Sequence, residues 1–230
     1  MKEVTQRSEI GTSSNISKTL LDELFNPSLD LSIDYSEIYI DDLIENETLK
    51  EIPIVKSVIG VIRGGISINQ FWFAKKLLTF IQEFNSGKID SEKISNYKQK
   101  LEADPKFGKK VAERLMIFID RNIEITQTKI TSNLFGAYVS KEITYEELCD
   151  ILISLDKLNP TTFNGFFKLE KHNFIITEQN HEEVGERDFE LESLITSSGF
   201  AVEISSWFHG FRLTNIGDKL FEFGIKPLKK

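Results

Sequence analysis

Apolar residues recur at helical spacing through the middle of the chain. From Phe71 to about Phe84 they stand three and four positions apart, and Asn85-Ser-Gly87 then supplies a stop. This spacing predicts one helix over the stretch. Ser91 is a residue type that caps helices, so it predicts the start of the next one.

Two further helix starts are marked by capping residues. Asp104-Pro105 predicts a long helix whose apolar face continues past Ile123 with a break on the way. Thr144 is followed three residues later by Glu147, which is the capping-box pattern ahead of another apolar helix. Short links between these helices predict that residues 18–160 form a helical bundle domain.

The N-terminal part of the chain gives weaker patterns. Residues 1–17 are polar and predict a disordered tail, and a short amphipathic helix follows before Pro27. Alternating apolar positions from Leu29 to Tyr35 hint at a strand. Asp41 and Asp42 begin a small acidic stretch, which we interpret as a solvated face rather than a cation site.

The segment of residues 52–68 is apolar nearly all round and contains three glycines. It is shorter than the roughly 20 residues of a membrane-spanning helix, and Lys56 and Arg63 interrupt it. We interpret it as a buried core helix. The alternative is a segment that leaves the core and, with the aromatic and basic residues after it, meets a membrane or a partner. The residues of that contact are Ile54, Val58, Ile62, Phe71, Trp72, Phe73, Lys75 and Lys76.

After Pro160 the pattern changes, so we place a domain boundary there and a second module at 161–230. Residues 173–177 read as a short strand and 178–187 as a polar loop. A helix over 188–198, two strands at 200–204 and 211–214, and a closing helix ended by Gly224 follow. The fold class is therefore mainly α, with a helical bundle followed by a small α+β module.

The second module carries a recognisable motif. Ser198-Gly199-Phe200 ends a helix, and Leu213-Thr-Asn-Ile-Gly217 opens the last one after a hairpin. This order resembles the second half of winged-helix domains. That resemblance implies a wing at the turn, whose contact residues would be Trp207, Phe208, His209 and Arg212.

Charge bears on whether such a module binds DNA. From Arg187 to Lys230 there are six basic and six acidic residues, and the helix that would enter a groove carries Asp188, Glu190 and Glu192. Carboxylates repel a polyanion, and the whole chain has a net charge of −8. We therefore expect a protein-contact or structural role for the module, with DNA binding and transcriptional regulation as the alternative.

No local motif for catalysis, a cofactor or a metal ion is present. The three histidines lie far apart in sequence, and the glycines at 60–65 lack the Gly-Lys-Ser/Thr of a phosphate loop. Cys149 is the single cysteine, which with a polar N-terminus predicts a cytoplasmic protein without an intrachain disulfide. We therefore expect a protein that is not an enzyme.

The overall layout suggests a functional setting. Ile52-Pro-Ile-Val-Lys56 precedes Phe73-Ala-Lys-Lys-Leu-Leu-Thr-Phe-Ile81, and the Leu-Thr-x-x-Gly motif closes the chain. This arrangement resembles uncharacterised bacterial phage-defence proteins of the abortive-infection type. The resemblance implies an antiviral defence component that acts through a protein partner or a homo-oligomer. The alternative it implies is a membrane-perturbing effector that uses residues 52–84 and associates with a membrane on activation.

Overall fold

The computed structural model describes residues 16–59, 67–171, 189–205 and 210–229. It divides into two compact units, Met1–Ser140 and Lys141–Lys230. The described residues are mainly helical, and the second unit adds a two-stranded antiparallel sheet. The predicted fold class, mainly α with a small α+β C-terminal part, is confirmed.

The first unit consists of eight described helices. They are α1 (16–25), α2 (Ile40–Glu45), α3 (Glu47–Glu51), α4 (Pro53–Ile59), α5 (Ile68–Phe84), α6 (Ser91–Ala103), α7 (Pro105–Arg121) and α8 (Ile125–Val139). Helix α1 already includes Ser17, which is buried, although the sequence placed that residue in the tail. Ile16 belongs to the same helix, and residues 1–15 lie outside the described residues.

Capping side chains account for where these helices begin. The Asp104 carboxylate accepts a hydrogen bond from the Phe107 amide at 3.0 Å, as predicted for the start of α7. Helix α6 is capped by Asp90 instead of Ser91, because the Asp90 carboxylate reaches the Glu92 amide at 2.7 Å. The long apolar face breaks after Asn122, where the Gln127 side chain accepts from the next two backbone amides.

The strand suggested at Leu29–Tyr35 is wrong. The Asp30 carboxylate accepts hydrogen bonds from the amide and hydroxyl of Ser32, and Asp34 binds Ser36 in the same way. Aspartate side chains commonly stabilise turns by binding the backbone two residues on. The alternation therefore reflects two successive turns of similar sequence.

The core of the first unit forms where α5 packs on α8. The Ser132 hydroxyl of α8 donates to the Phe80 carbonyl of α5 at 2.9 Å, so the helices are joined by a hydrogen bond as well as by apolar contact. A cluster of rings fills the space beside them: Phe25, Phe80, Phe84, Tyr97, Phe135 and Tyr138. Four of the chain's 18 phenylalanines lie in this cluster, where their large rings bury much apolar area.

Helix α4 is the described part of the apolar segment at 52–68. Ile54 and Val55 are fully buried, which agrees with a core helix over this part. The side-chain Nε2 of Gln70 in α5 donates to the carbonyls of Val58 and Ile59 at the end of α4. Residues 60–66, including Ile62, lie outside the described residues.

The second unit begins with a helix that the pattern assigned to the bundle. Its elements are α9 (Tyr145–Leu155), a 3-10 turn (Pro160–Thr162), α10 (Phe163–Lys171), α11 (Phe189–Ser197), β1 (Ala201–Ser205), β2 (Gly210–Leu213), α12 (Asn215–Lys219), a π-helical turn (Leu220–Ile225) and a 3-10 turn (Lys226–Leu228). The composition change at Pro160 therefore falls inside this unit. Helix α9 belongs here because it packs on α12, where Glu147 pairs with Lys219.

The predicted helix, hairpin and closing helix are present in the second unit. Ala201 pairs with Leu213 and Val202 with Arg212 across the hairpin. The closing helix does not end at Gly224, because the chain continues in a π-helical turn to Ile225. The predicted strand at 173–177 and the loop at 178–187 lie outside the described residues.

Backbone geometry explains the Ser-Gly-Phe and Leu-Thr-x-x-Gly motif. Gly199 has φ +86°, which favours glycine, and the Thr214 amide and hydroxyl donate to the carbonyls of Phe200 and Gly199, each at 2.9 Å. The Thr214 hydroxyl also accepts from the Gly217 amide and so caps α12. A Cβ on Gly217 would lie 2.0 Å from the Phe200 carbonyl oxygen. The motif therefore specifies a close backbone crossing.

We predict that Gly217→Ala destabilises the second unit by about 1–3 kcal/mol, because the added methyl group forces the Phe200 backbone away. Urea or thermal unfolding of the full chain measures this loss. Gly108→Ala is the control, since its Cβ would meet nothing closer than 3.5 Å and alanine suits a helix. Equal stability of the two variants would contradict the close approach of Gly217 to the Phe200 carbonyl.

The ion pair between Glu147 and Lys219 makes the stability of the second unit depend on pH. The pKa of the Glu147 carboxyl is lowered from 4.5, first by the hydrogen bond from Lys219 and then by the Thr144 amide. A carboxyl whose pKa falls on folding stabilises the folded state above its unfolded pKa, and this stabilisation is lost as the pH falls through the folded value. Glu147→Gln should therefore lower the melting temperature at neutral pH.

The difference from the wild type should shrink as the pH falls below 4.5. Glutamine retains the capping box, so the substitution isolates the charge. Glu146→Gln, on the exposed neighbouring residue, is the control and should change little. If Glu147→Gln lowered the melting temperature by the same amount at every pH, the charge of Glu147 would not contribute to stability.

Candidate protein-interaction surface

The N-terminal half of α5 turns part of an apolar sequence towards solvent. The Ser67 hydroxyl accepts from the Gln70 amide at 3.2 Å, so the helix begins at Ile68. Phe71 faces the core and is buried, whereas Ile68 is 67% and Trp72 44% exposed. Ile68 and Trp72 stand four positions apart and therefore share one face of the helix.

Lys75 brings a second chain segment to this face. Its ammonium donates to the Ile38 carbonyl at 2.8 Å and lies 5.2 Å from the ring centroid of Trp72 and 6.0 Å from that of Tyr39. Burial lowers the pKa of Lys75, and the charges of Asp34 and Asp42 oppose that shift. Tyr39 is 74% exposed. The lysine thus places an exposed tyrosine beside Trp72.

Lys76 stands one helical turn after Trp72 on α5 and binds a third chain segment. Its ammonium donates to the Asn122 carbonyl at 3.1 Å and also to the Asp120 carbonyl, at the end of α7. A cation there satisfies carbonyls that have no partner within their helix. Burial lowers the pKa of Lys76, with the charge of Asp120 acting in the opposite direction. The next residue, Ile123, is 78% exposed.

Tyr39, Ile68, Trp72 and Ile123 are referred to below as the α5 patch. Three of the four expose two thirds or more of their surface. Elsewhere among the described residues of the first unit, no large apolar residue exceeds the 52% of Ile117. Burying such a side chain contributes about 1.5–3 kcal/mol, so leaving four of them exposed around one helix forgoes stability. Neighbouring exposed apolar groups commonly mark interaction sites.

The eight residues predicted for a membrane or partner contact differ in how far the structure buries them. Trp72 is presented to solvent, Val58 and Phe73 are half-buried, and Ile54 and Phe71 are core residues. Lys75 and Lys76 are buried with their ammonium groups bound to carbonyls, while Ile62 lies outside the described residues.

Sequence reasoning missed three members of the patch. Ile68 was detectable, because it lies one helical turn before Trp72. Tyr39 and Ile123 belong to other segments, and nothing in their local pattern indicates that two lysines of α5 hold them there. Only the tertiary contacts show the patch.

Of the predicted wing contact, only Arg212 is among the described residues. Trp207, Phe208 and His209 lie outside the described residues. Arg212 is exposed on β2, and its charge opposes the rise in pKa that burial causes at Asp218. The wing contact stays a prediction.

The described residues contain no group of three or more potential metal ligands. All three histidines lie outside that part of the chain, and Cys149 is half-buried on α9. In the same ranges, no helix combines the length and hydrophobicity needed to cross a bilayer.

Comparison of the chain with protein-family models, with curated proteins and with solved structures gave no significant match. The assignment of a role therefore depends on the geometry described above.

The burial pattern predicts losses of stability of different size for two neighbouring aromatic residues. Phe71→Ala should cost about 3–5 kcal/mol, because it leaves a cavity in the core. Trp72→Ala should cost about 1 kcal/mol, mainly from the lost contact with the Phe71 ring. Urea unfolding of each variant measures both effects. A large loss for Trp72→Ala would show that Trp72 is a core residue and would contradict the surface assignment.

Proposed function

We propose that the protein is a non-enzymatic interaction component that binds a partner protein through the α5 patch. The observation that carries this proposal is the exposure of Ile68 and Trp72 on α5, and of Tyr39 and Ile123 on segments that lysines of α5 hold against this helix. Aromatic and aliphatic anchors supply most of the binding energy in protein interfaces. The proposed setting is bacterial phage defence or its regulation, which is what the sequence resemblance implies.

The anchoring of the patch favours binding without a large rearrangement. Trp72 stands on a helix of 17 residues, and its neighbours Lys75 and Lys76 are held by backbone carbonyls. Side chains fixed before binding lose less conformational entropy when the partner arrives. A patch on packed helices therefore suits specific recognition.

The alternative of a membrane-perturbing effector is less well supported. Releasing residues 52–84 would expose Ile54, Phe80 and Ile81, which are fully buried, at about 1.5–3 kcal/mol each. The alternative of DNA binding is disfavoured because the carboxylates of Glu190 and Glu192 on α11 repel phosphate groups. Neither alternative has an observation that favours it over protein binding.

Site-specific photocrosslinking in the native host tests the proposal. A photoreactive phenylalanine analogue at Trp72 should yield a discrete protein adduct that mass spectrometry identifies. The same analogue at Ile153, an exposed apolar residue of α9, is the control and should not yield that adduct. Ile68→Ser combined with Trp72→Ser should reduce both the binding of the identified partner and protection in a phage plating assay.

A different result would contradict the proposal. If the adducts at positions 72 and 153 were the same, or if the double variant bound the partner as well as the wild type, the α5 patch would not be the binding surface. Circular dichroism of the double variant confirms that the helices persist.

A further inference from the structure

We infer that the α5 patch receives a basic amphipathic segment of its partner. This inference rests on the proposed function and adds the chemistry of the partner. It starts from the distribution of charge. Residues 29–51 contain eight carboxylates and a single lysine, so this segment accounts for most of the chain's net charge of −8.

Some of these carboxylates lie at the patch itself. A carboxylate oxygen of Asp42 accepts from the Tyr39 amide at 2.7 Å. The charges of Asp34 and Asp42 both act on the ammonium of Lys75, which lies 6.0 Å from the ring centroid of Tyr39 and 5.2 Å from that of Trp72. Asp41 and Glu45 are exposed on α2, which packs on α5. The apolar patch therefore has an acidic rim.

The nearby lysines do not cancel this rim for an incoming partner. Lys75 is buried and donates to the Ile38 carbonyl, while Lys50 pairs with Glu47. Lys129 is half-buried, donates to the Ser36 hydroxyl and offsets part of the charge of Asp34. Asp41 and Glu45 have no ion pair with any other described residue. Around Tyr39 and α2, the surface presented outward is thus apolar and negative, whereas Arg121 lies near Ile123 on the other side of the patch.

Charge complementarity selects the occupant. A helix with leucine-type residues on one face and Lys or Arg beside them would bury the patch and pair with its rim. Arginine has a further advantage, because its guanidinium stacks on tryptophan and tyrosine rings. Nucleic acid and anionic lipid carry the charge that this rim repels.

The test uses the full chain and synthetic peptides as probes. The first probe is a helical peptide of about 18 residues, with Leu and Trp on one face and Lys and Arg on the other. The second has Glu in place of each Lys and Arg, and the third has Ser in place of each Leu and Trp. Fluorescence anisotropy at about 50 and 300 mM salt measures binding.

The basic amphipathic peptide should bind at least about tenfold more tightly than either of the others, and high salt should weaken it. Trp72→Ala, and Asp41→Asn combined with Glu45→Gln, should each weaken binding about five- to tenfold. Glu102→Gln is the matched control, because Glu102 is exposed on α6 away from the acidic segment. This variant should bind like the wild type. The Asn and Gln substitutions are close in shape to the native residues, and Trp72→Ala is expected to cost only about 1 kcal/mol. Thermal melting verifies that each variant is folded.

Several outcomes would overturn the inference. Equal affinity for the acidic peptide, or binding unaffected by the Asp41 and Glu45 substitutions, would show that charge does not select the partner. Sedimentation that reveals self-association abolished by Trp72→Ala would assign the patch to a second copy. Tighter binding to vesicles of anionic phospholipid than to the peptide would assign it to a membrane.

The two proposals fail in distinguishable ways. If crosslinking at position 72 identifies a partner whose contacting segment is acidic or neutral, protein binding stands and the basic partner is excluded. If no adduct specific to position 72 forms and the basic peptide does not bind, both are excluded.

Discussion

The arrangement of the first unit depends on two lysines whose charges are buried against backbone carbonyls. Removing an ammonium group from water costs several kcal/mol unless hydrogen bonds replace its hydration. Lys75 obtains such a bond from Ile38, and Lys76 from Asp120 and Asn122. Breaking either contact would leave an uncompensated charge, so the segments that supply these carbonyls are held against α5.

This constraint also creates the candidate site. The segment before α2 and the connection between α7 and α8 carry Tyr39 and Ile123, and both are brought to the helix that carries Ile68 and Trp72. The ammonium groups face inward, whereas the carboxylates of α2 remain outside. The same contacts therefore produce both the apolar surface and its negative rim.

A backbone constraint has the corresponding role in the second unit. The crossing of Gly217 over the Phe200 carbonyl leaves no room for a side chain, and Thr214 binds the carbonyls on either side of that point. These residues determine the path of the chain and offer no reactive group. A motif of this kind therefore indicates a fold, and the surface that recognises a partner has to be identified separately.

Much of the fold could be predicted from the sequence alone. The apolar spacing of α5, the Asp104-Pro105 start of α7 and the capping box at Thr144 are local signals, because helix formation and capping depend on residues within about one turn. The hairpin and its flanking helices were also predicted, with an error at Gly224. The acidic character of Asp41 and Asp42 was evident, although its relation to an apolar patch was not.

Tertiary structure decided the remaining features. The alternation at Leu29–Tyr35 became two turns because aspartate side chains bound the backbone there. Helix α9 joined the second unit through its contact with α12, although its own pattern suits either unit. Lys75 and Lys76 resembled surface residues until the structure showed the carbonyls that receive them. Sequence spacing determines which residues share a helical face, but burial and exposure depend on the atoms that distant segments place against that face.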